Sequence, residues 1–400
     1  MTALLLGTVV LIVFSALSGP LSRRGVTGAM AFVFAGLVFG AAMGGKPGIT
    51  LESAAVERVT ELALVFLLFT DAARLDLSVL RRNLGWPGRL LVLGLPLTLV
   101  LGFGAALLLF PELPLASAFL LSAMLCATDA ALGQRVVEDP AVPGRVRQAL
   151  NVESGLNDGI AVPFFLVSLD ISSAALEGSV PSAVAAAITE QIGWGLLAGV
   201  VIGGAGGYLL RAAAGRGWLT TGWRQQGVLA VALGTYAAAG TLGGSVFIAA
   251  FVGGMAFGQS SGPGNADSIS FTADAGSVLA AATWMIFGAV AVLYALPNIT
   301  WQVVAYAVLS LTAVRMLPVA AALIRSGAPW QTRAFMGWFG PRGLASVVFG
   351  LLAFEEGTPA AATLLTTVVV TVGLSVFAHG LSAKPLVAAY HRWSEASGGK

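Results

Sequence analysis

The stretch NVESGLNDGIAVPF, residues 151–164, sets two carboxylates and two amides inside a segment otherwise apolar enough to enter a bilayer. Glu153 and Asn157 lie four residues apart, as do Ser154 and Asp158, so each pair shares one face of a helix. Two further strings repeat the pattern: ATDAALG at 127–133 and GWFGPRGLAS at 337–346. A charge at such depth costs roughly 2.5–3.5 kcal/mol or more unless it is paired or in contact with water. Charged residues that persist there mark an ion or substrate path by default.

The rest of the chain supports this reading. Of its 400 residues 57% are hydrophobic and only 10% charged, whereas a soluble domain carries about a quarter charged residues. The fold class is therefore an all-α polytopic membrane protein. A scan for apolar runs long enough to cross the hydrocarbon layer gives about thirteen. They lie near 1–18, 27–43, 57–73, 89–110, 114–133, 146–169, 189–210, 226–242, 245–258, 272–295, 301–323, 334–354 and 360–382. The closely spaced eighth and ninth are the least separated. The first run has no Lys or Arg before it, so it lacks the charged start of a cleaved signal peptide and reads as a membrane helix.

The 21 Lys and Arg divide unequally between the two sides. With the N-terminus outside, only Lys46 and Arg58 fall in outer segments, Arg315 and Arg342 fall within spans, and all others face the cytoplasm. The positive-inside rule thus gives an outside N-terminus and a cytoplasmic C-terminus. Residues 1–400 read as a single transmembrane unit without a soluble regulatory domain, the segment after about residue 384 being short.

The fifth and twelfth spans carry TDA and GPRGL and run in opposite directions, as two inverted six-helix repeats joined by a seventh helix require. Thr128 and Asp129 compete for backbone hydrogen bonds, and Pro341 between Gly340 and Gly343 removes a donor. Both spans are expected to be broken where they cross. Such backbone is tolerated at that depth only against protein or a water-filled cavity.

A dehydrated cation needs oxygen ligands, and Asp158, Asp129, the Ser154 hydroxyl and carbonyls freed near Thr128 can supply them. A carboxylate in a partly dry cavity also exchanges protons nearer neutral pH than one in water. One group that takes either H+ or a cation, never both, is the physical content of antiport. Arg342 needs a buried counter-charge, and Glu153 is the expected partner.

These strings resemble the cation/proton antiporters of the NhaP type, the Asn-Asp branch of the sodium/proton exchangers. The likeness rests on ATDAALGQ, NVESGLNDGIAVPF and GWFGPRGLASVVFGLLA, with LFTDAARLDLSVLRRN at 68–83 and AVRMLPVAAAL at 313–323. It covers essentially the whole chain. It implies a homodimer with interleaved dimerisation and core subdomains, elevator-like alternating access and a role in pH homeostasis. By resemblance Asp158 is the carrier of cation and proton, completed by Asp129, Ser154 and the Thr128 backbone as the monovalent-cation ligands. Glu153 with Arg342 is the buried ion pair. Asn157 stands where the electrogenic branch has a second aspartate, which implies electroneutral exchange of Na+, Li+ or K+ for H+. Asp71 matches an acidic position in the third span, and with Arg315 it is an accessory candidate. Many members follow the Thr-Asp pair with proline. Here Ala130 and Ala131 follow, so the break rests on Thr128 and Asp129.

Plainer readings stand beside these. Asp158 and Asp129 also admit a reading as carboxylates hydrogen-bonded between helices, Asn157 as polar glue, Asp71 as half of a solvated pair with Arg74, and Arg315 as a core-lining or snorkelling residue. The glycines read as helix-packing sites, and no strand precedes them to build a dinucleotide fold. The single cysteine, Cys126, excludes thiolate clusters, and no other cofactor is implied. Scattered basic residues exclude a nucleic-acid surface. The histidines, His379 and His391, make no HExxH metalloprotease motif. A sodium-coupled solute symporter on a similar scaffold is the nearest rival.

Overall fold

Backbone groups in hydrocarbon have to be satisfied within the chain, and a helix does this without help from a neighbour. The computed structural model describes residues 2–44, 50–75, 85–177, 181–262 and 266–396, and the described residues contain helices and connections but no strand. In chain order the helices are α1 Thr2–Arg23, α2 Gly28–Ala42, α3 Ala54–Ala73, α4 Gly85–Leu109, α5 Leu115–Met124, α6 Ala130–Glu138, α7 Gly144–Glu177 and α8 Ser182–Gly215. They continue as α9 Thr221–Thr241, α10 Val246–Ser260, α11 Asp267–Asn298, α12 Trp301–Leu311, α13 Ala313–Ala322, α14 Trp330–Trp338, α15 Leu344–Glu355 and α16 Ala361–Ala396. Among the described residues, seven continuous helical segments are long and apolar enough to cross a membrane. Lys46, Arg81, Arg82 and Lys400 lie outside the described residues, as does the 76–83 part of the 68–83 string.

Every apolar stretch read from the sequence falls on one helix or on an adjoining pair. The pairs are α5 with α6, α12 with α13, and α14 with α15. The eighth and ninth stretches separate cleanly as α9 and α10. Gly243 takes φ 72°, a left-handed conformation that glycine adopts at no steric cost, and the Ser245 hydroxyl caps the next helix at Ile248 N.

The chain divides into two compact units that interleave in sequence, one of residues 1–57, 85–157 and 281–400 and the other of residues 58–84 and 158–280. In the second unit, Gly195, Gly199, Gly203 and Gly207 recur every four residues along one stripe of α8. A Cβ added at these positions would meet Ser245 O, Ala249 O, Gly253 O and Ser260 Oγ respectively. On α10, Gly254 and Gly258 lie equally close to the carbonyls of Phe69 and Ala73 in α3. Lipid tails are as apolar as leucine, so helices in a membrane gain little from burying apolar area and associate through close backbone approach.

The first unit uses the same device between α2 and α11, where Gly36, Gly40 and Gly288 press on the carbonyls of Met285, Ala289 and Val33. At Phe287–Val292 α11 widens into a π turn, as α8 does at Gly199–Gly203, so both wide turns fall at glycine contacts. At one end of this unit a core that includes Trp86, Val136, Val146, Leu323, Phe335 and Tyr390 ties together parts of α4, α6, α7, α13, α14 and α16. The Arg145 guanidinium lies 3.9 Å over the Trp86 ring. That end anchors the helices on which the polar strings are carried.

If the glycine stripe holds the second unit, Gly203→Ala should destabilise it, because the new methyl meets backbone and not a movable side chain. A loss of roughly 1–3 kcal/mol is expected for such overpacking, read as a lowered thermal midpoint in detergent. Gly193→Ala, on the same helix with no atom near its added methyl, should leave the midpoint unchanged or raise it.

Candidate functional site

Helix α5 stops at Met124, and α6 begins at Ala130. The intervening residues 125–129 are not helical, which puts the break where Thr128 and Asp129 are. Asp129 is the N-cap of α6: its Oδ1 accepts from Ala131 N at 2.7 Å and from Leu132 N at 3.0 Å. Helix α14 likewise stops at Trp338 and α15 restarts at Leu344. Its N-cap, Gly343, has no side chain to offer.

The missing cap comes from the other break. Asp129 Oδ2 accepts from Leu344 N at 2.9 Å, and Asp129 N donates to Pro341 O at 2.8 Å. One carboxylate therefore caps two restarting helices. Each helix start carries about half a positive charge, so a single negative charge neutralises both. The sequence reading treats Asp129 as a cation ligand. In this structure both of its oxygens accept from backbone N–H groups.

Arg342 makes the reciprocal bond. Its Nη1 donates to Cys126 O at 2.7 Å and Ala127 O at 2.9 Å, the carbonyls freed where α5 ends. Its backbone N donates to Ser375 Oγ of α16 at 2.7 Å. The side chain is fully buried. The expected Glu153–Arg342 ion pair is thus corrected: Glu153 takes Arg315 of α13 in a two-pronged pair at 2.5 and 2.9 Å, both side chains being 3% exposed. Arg342 is spoken for by carbonyls, and Arg315, read from sequence as lining the core or snorkelling, is the buried cation that needs a carboxylate. A signal was available, because glycines on both sides of Arg342 announce unwound backbone and unwound backbone frees carbonyls.

The glycines of GPRG are explained by the same geometry. A Cβ at Gly340 would run into the Arg315 guanidinium and one at Gly343 into the Asp129 carboxylate.

Helix α7 contributes the remaining groups. Asn157 Nδ2 donates to Thr128 Oγ1 at 2.5 Å, and Asn157 Oδ1 accepts from Thr128 N at 3.2 Å. Ser154 Oγ is 3.2 Å from the same hydroxyl. Asn157 is thus a clamp on the unwound segment, the polar-glue reading given a specific address. Asp158 follows it on the same continuous helix, one turn after Ser154, and is half-buried. It begins the second unit, whereas Thr128, Asp129, Glu153, Ser154, Asn157, Arg315 and Arg342 belong to the first. Asp71, also in the second unit, lies 3.9 Å from Arg74, with the two side chains 32% and 53% exposed. This is the partly solvated pair.

Two residues went unnoticed in the sequence. Ser375 holds the Arg342 backbone, and His379, weighed there only as a zinc ligand, is buried one turn beyond it. Its Nδ1 is 2.9 Å from Ser375 O and its Nε2 is 2.8 Å from Trp338 O.

Glu153→Gln would strand Arg315 as a buried charge, and a loss of roughly 3–5 kcal/mol is expected. In a double-mutant cycle on thermal unfolding in detergent, Glu153→Gln should couple strongly to Arg315→Gln and far less to Arg342→Gln. The reverse ranking would restore the pairing expected from sequence. Gly343→Ala should displace the Asp129 carboxylate from Leu344 N and cost roughly 1–3 kcal/mol, the penalty of an unmet buried hydrogen bond.

The fold is shared with known proteins. The sodium proton antiporter MjNhaP1 from Methanocaldococcus jannaschii superposes with a TM-score of 0.73 at 20% identity, over 95% of this chain and 99% of that one. At that identity the likeness speaks for the fold. The K(+)/H(+) antiporter NhaP2 of Shewanella sp. (strain MR-4) is 26% identical over 390 residues, 94% of this chain and 65% of its own length. Na(+)/H(+) antiporter 2 of Zygosaccharomyces rouxii is 36% identical over 114 residues, 27% of this chain and 14% of its own. The chain thus spans less than two thirds of these curated relatives. The family model described as "Sodium/hydrogen exchanger, transmembrane" matches residues 8–389, and the chain belongs to that family of transmembrane exchangers.

Proposed function

We propose that this protein is a secondary antiporter that exchanges a monovalent cation, Na+, Li+ or K+, for H+ across a membrane. The observation that carries the reading is the shared cap: two helices restart on the single carboxylate of Asp129, and Asn157 clamps the same unwound segment one residue before Asp158. Non-helical, electrically balanced backbone inside an apolar fold is what an ion site needs and what lipid does not tolerate. Family membership and the named activities of the relatives support the same conclusion.

In this reading Asp158 carries either the cation or the proton. Ser154 supplies its hydroxyl and Thr128 its carbonyl as further oxygen ligands, and Asp129 holds the site electrically neutral without being spent on the ion. Glu153 with Arg315 holds α7 to α13, and Arg342 holds the ends of the unwound segments. Competition of the two ions for one carboxylate couples their movements, because the protein turns its site across the membrane only when that site is occupied. Asn157, an uncharged clamp, leaves one titrating carboxylate per cycle and makes exchange electroneutral. The protein works as a homodimer of chains with about thirteen crossings in two inverted repeats, its N-terminus outside and its C-terminus cytoplasmic. The rival symporter reading requires an organic co-substrate.

Proteoliposomes holding the protein should show collapse of an imposed pH gradient on addition of Na+, Li+ or K+ salt alone. Asp158→Asn should reduce this to the rate of empty liposomes, and full retention of exchange would remove Asp158 as carrier. A symporter would give no response until an organic solute was added. The rate should be the same with and without an imposed membrane potential; a clear dependence would remove Asn157 as the source of electroneutrality.

A further inference from the structure

His379 lies in the middle third of α16 and is 2% exposed. Nδ1 lies 2.9 Å from Ser375 O and Nε2 lies 2.8 Å from Trp338 O. Carbonyl oxygens only accept, and a neutral imidazole has one donor and one acceptor. Either neutral tautomer therefore satisfies one carbonyl and turns a lone pair on the other from under 3 Å. The imidazolium, with two N–H groups, donates to both.

Two more features favour the cation. Trp338 O belongs to the last residue of α14, and a positive charge is favoured at the C-terminal end of a helix. The Trp338 ring stacks on the imidazole at 5.0 Å between centroids and 29° between planes, an arrangement that attracts a cation. That ring is itself held, with Nε1 donating to Ser382 Oγ at 2.9 Å. A neutral state is also provided for, since Ser375 Oγ is 3.2 Å from Nδ1 and can turn its hydroxyl to a bare nitrogen. The same Oγ accepts from Arg342 N, so the histidine reaches the crossing through a single side chain.

The geometry points to a second titrating group in this protein: His379 is a proton-operated latch that, as an imidazolium, fastens the end of α14 to α16 beside the twelfth-span break, and loosens when it loses its proton. The charged groups that act on the ring are Arg342 and Arg315, whose positive charges oppose the imidazolium, that of Arg315 being offset by its pair with Glu153. Other titratable groups on the elements around α16 are turned elsewhere: Tyr306 to Gly102 O, Arg135 to Ser22, Glu138 to Gln134, and Lys384 of α16 itself to Arg23 O. Resting on the antiport reading, the latch makes turnover fall in acid for a reason separate from competition at Asp158. Competition moves the apparent KM for the cation with pH. The latch moves kcat.

The chain has two histidines, so His391→Gln leaves one imidazole to observe. In such protein, labelled with 15N-histidine and reconstituted in lipid, nitrogen NMR should show both ring nitrogens protonated at about pH 5 and one proton lost by about pH 9. A ring that is neutral throughout that range overturns the proposal, and this arm reads the ring whether or not the protein exchanges ions. In proteoliposomes, wild-type kcat should drop in acid by up to roughly tenfold per pH unit, the limit for one titrating proton. His379→Gln should flatten that drop while leaving the pH dependence of KM in place. A uniform loss of kcat at every pH would mark His379 as merely structural, and an unchanged acid limb in a folded His379→Gln protein would equally overturn the latch.

Discussion

Two broken helices hold each other together through an exchange of charges for backbone groups. Asp129, from the first break, satisfies Leu344 N in the second, and Arg342, from the second break, satisfies Cys126 O and Ala127 O in the first. An acid therefore sits at helix starts and a base at a helix end, each where the peptide dipoles favour it. Neither unwound segment is fully satisfied by its own chain neighbours, and in an apolar interior an unmet backbone group costs several kcal/mol. The crossing is thus stable only as a pair, and the remaining polar residues of the first unit are arranged around that requirement.

Buried charges are matched by type. Arginine's planar fork suits either a carboxylate or a pair of carbonyls, and both uses occur here, Arg315 on Glu153 and Arg342 on the peptide backbone. The glycines of the GPRG string follow from this crowding, since Arg315 and Asp129 occupy the space a side chain would need at positions 340 and 343. Asn157 adds an uncharged bond on Thr128, so the unwound segment is fixed to α7 without another ionised group. The balance leaves Asp158 as the carboxylate proposed to change its charge.

Away from the crossing, packing depends on glycine. The α8 stripe against α10, and α2 against the wide turn of α11, bring backbones close enough for van der Waals contact to replace the missing hydrophobic drive. Such contacts are rigid because no side chain intervenes. The latch at His379 differs in kind: its bonds depend on one proton, and it ends at Ser375, the residue that holds Arg342.

Much of this was legible in the chain itself. Apolar stretches separated by basic connections can only be membrane helices, so fold class, helix positions and the two broken strings followed from period and composition. The spacing in ESGLND was enough to put Ser154 and Asp158 on one helical face. Partner choice was not legible. Sequence counts buried charges and requires that they be compensated, but Arg315 and Arg342 are chemically identical, and which of them meets Glu153 depends on how α7, α12, α13 and the break before α15 come together. The double duty of Asp129 and the Trp338 carbonyl at His379 are likewise meetings of residues more than forty, and in one case more than two hundred, positions apart. Local rules fix what each segment must bury or satisfy, and only tertiary packing decides which distant group does it.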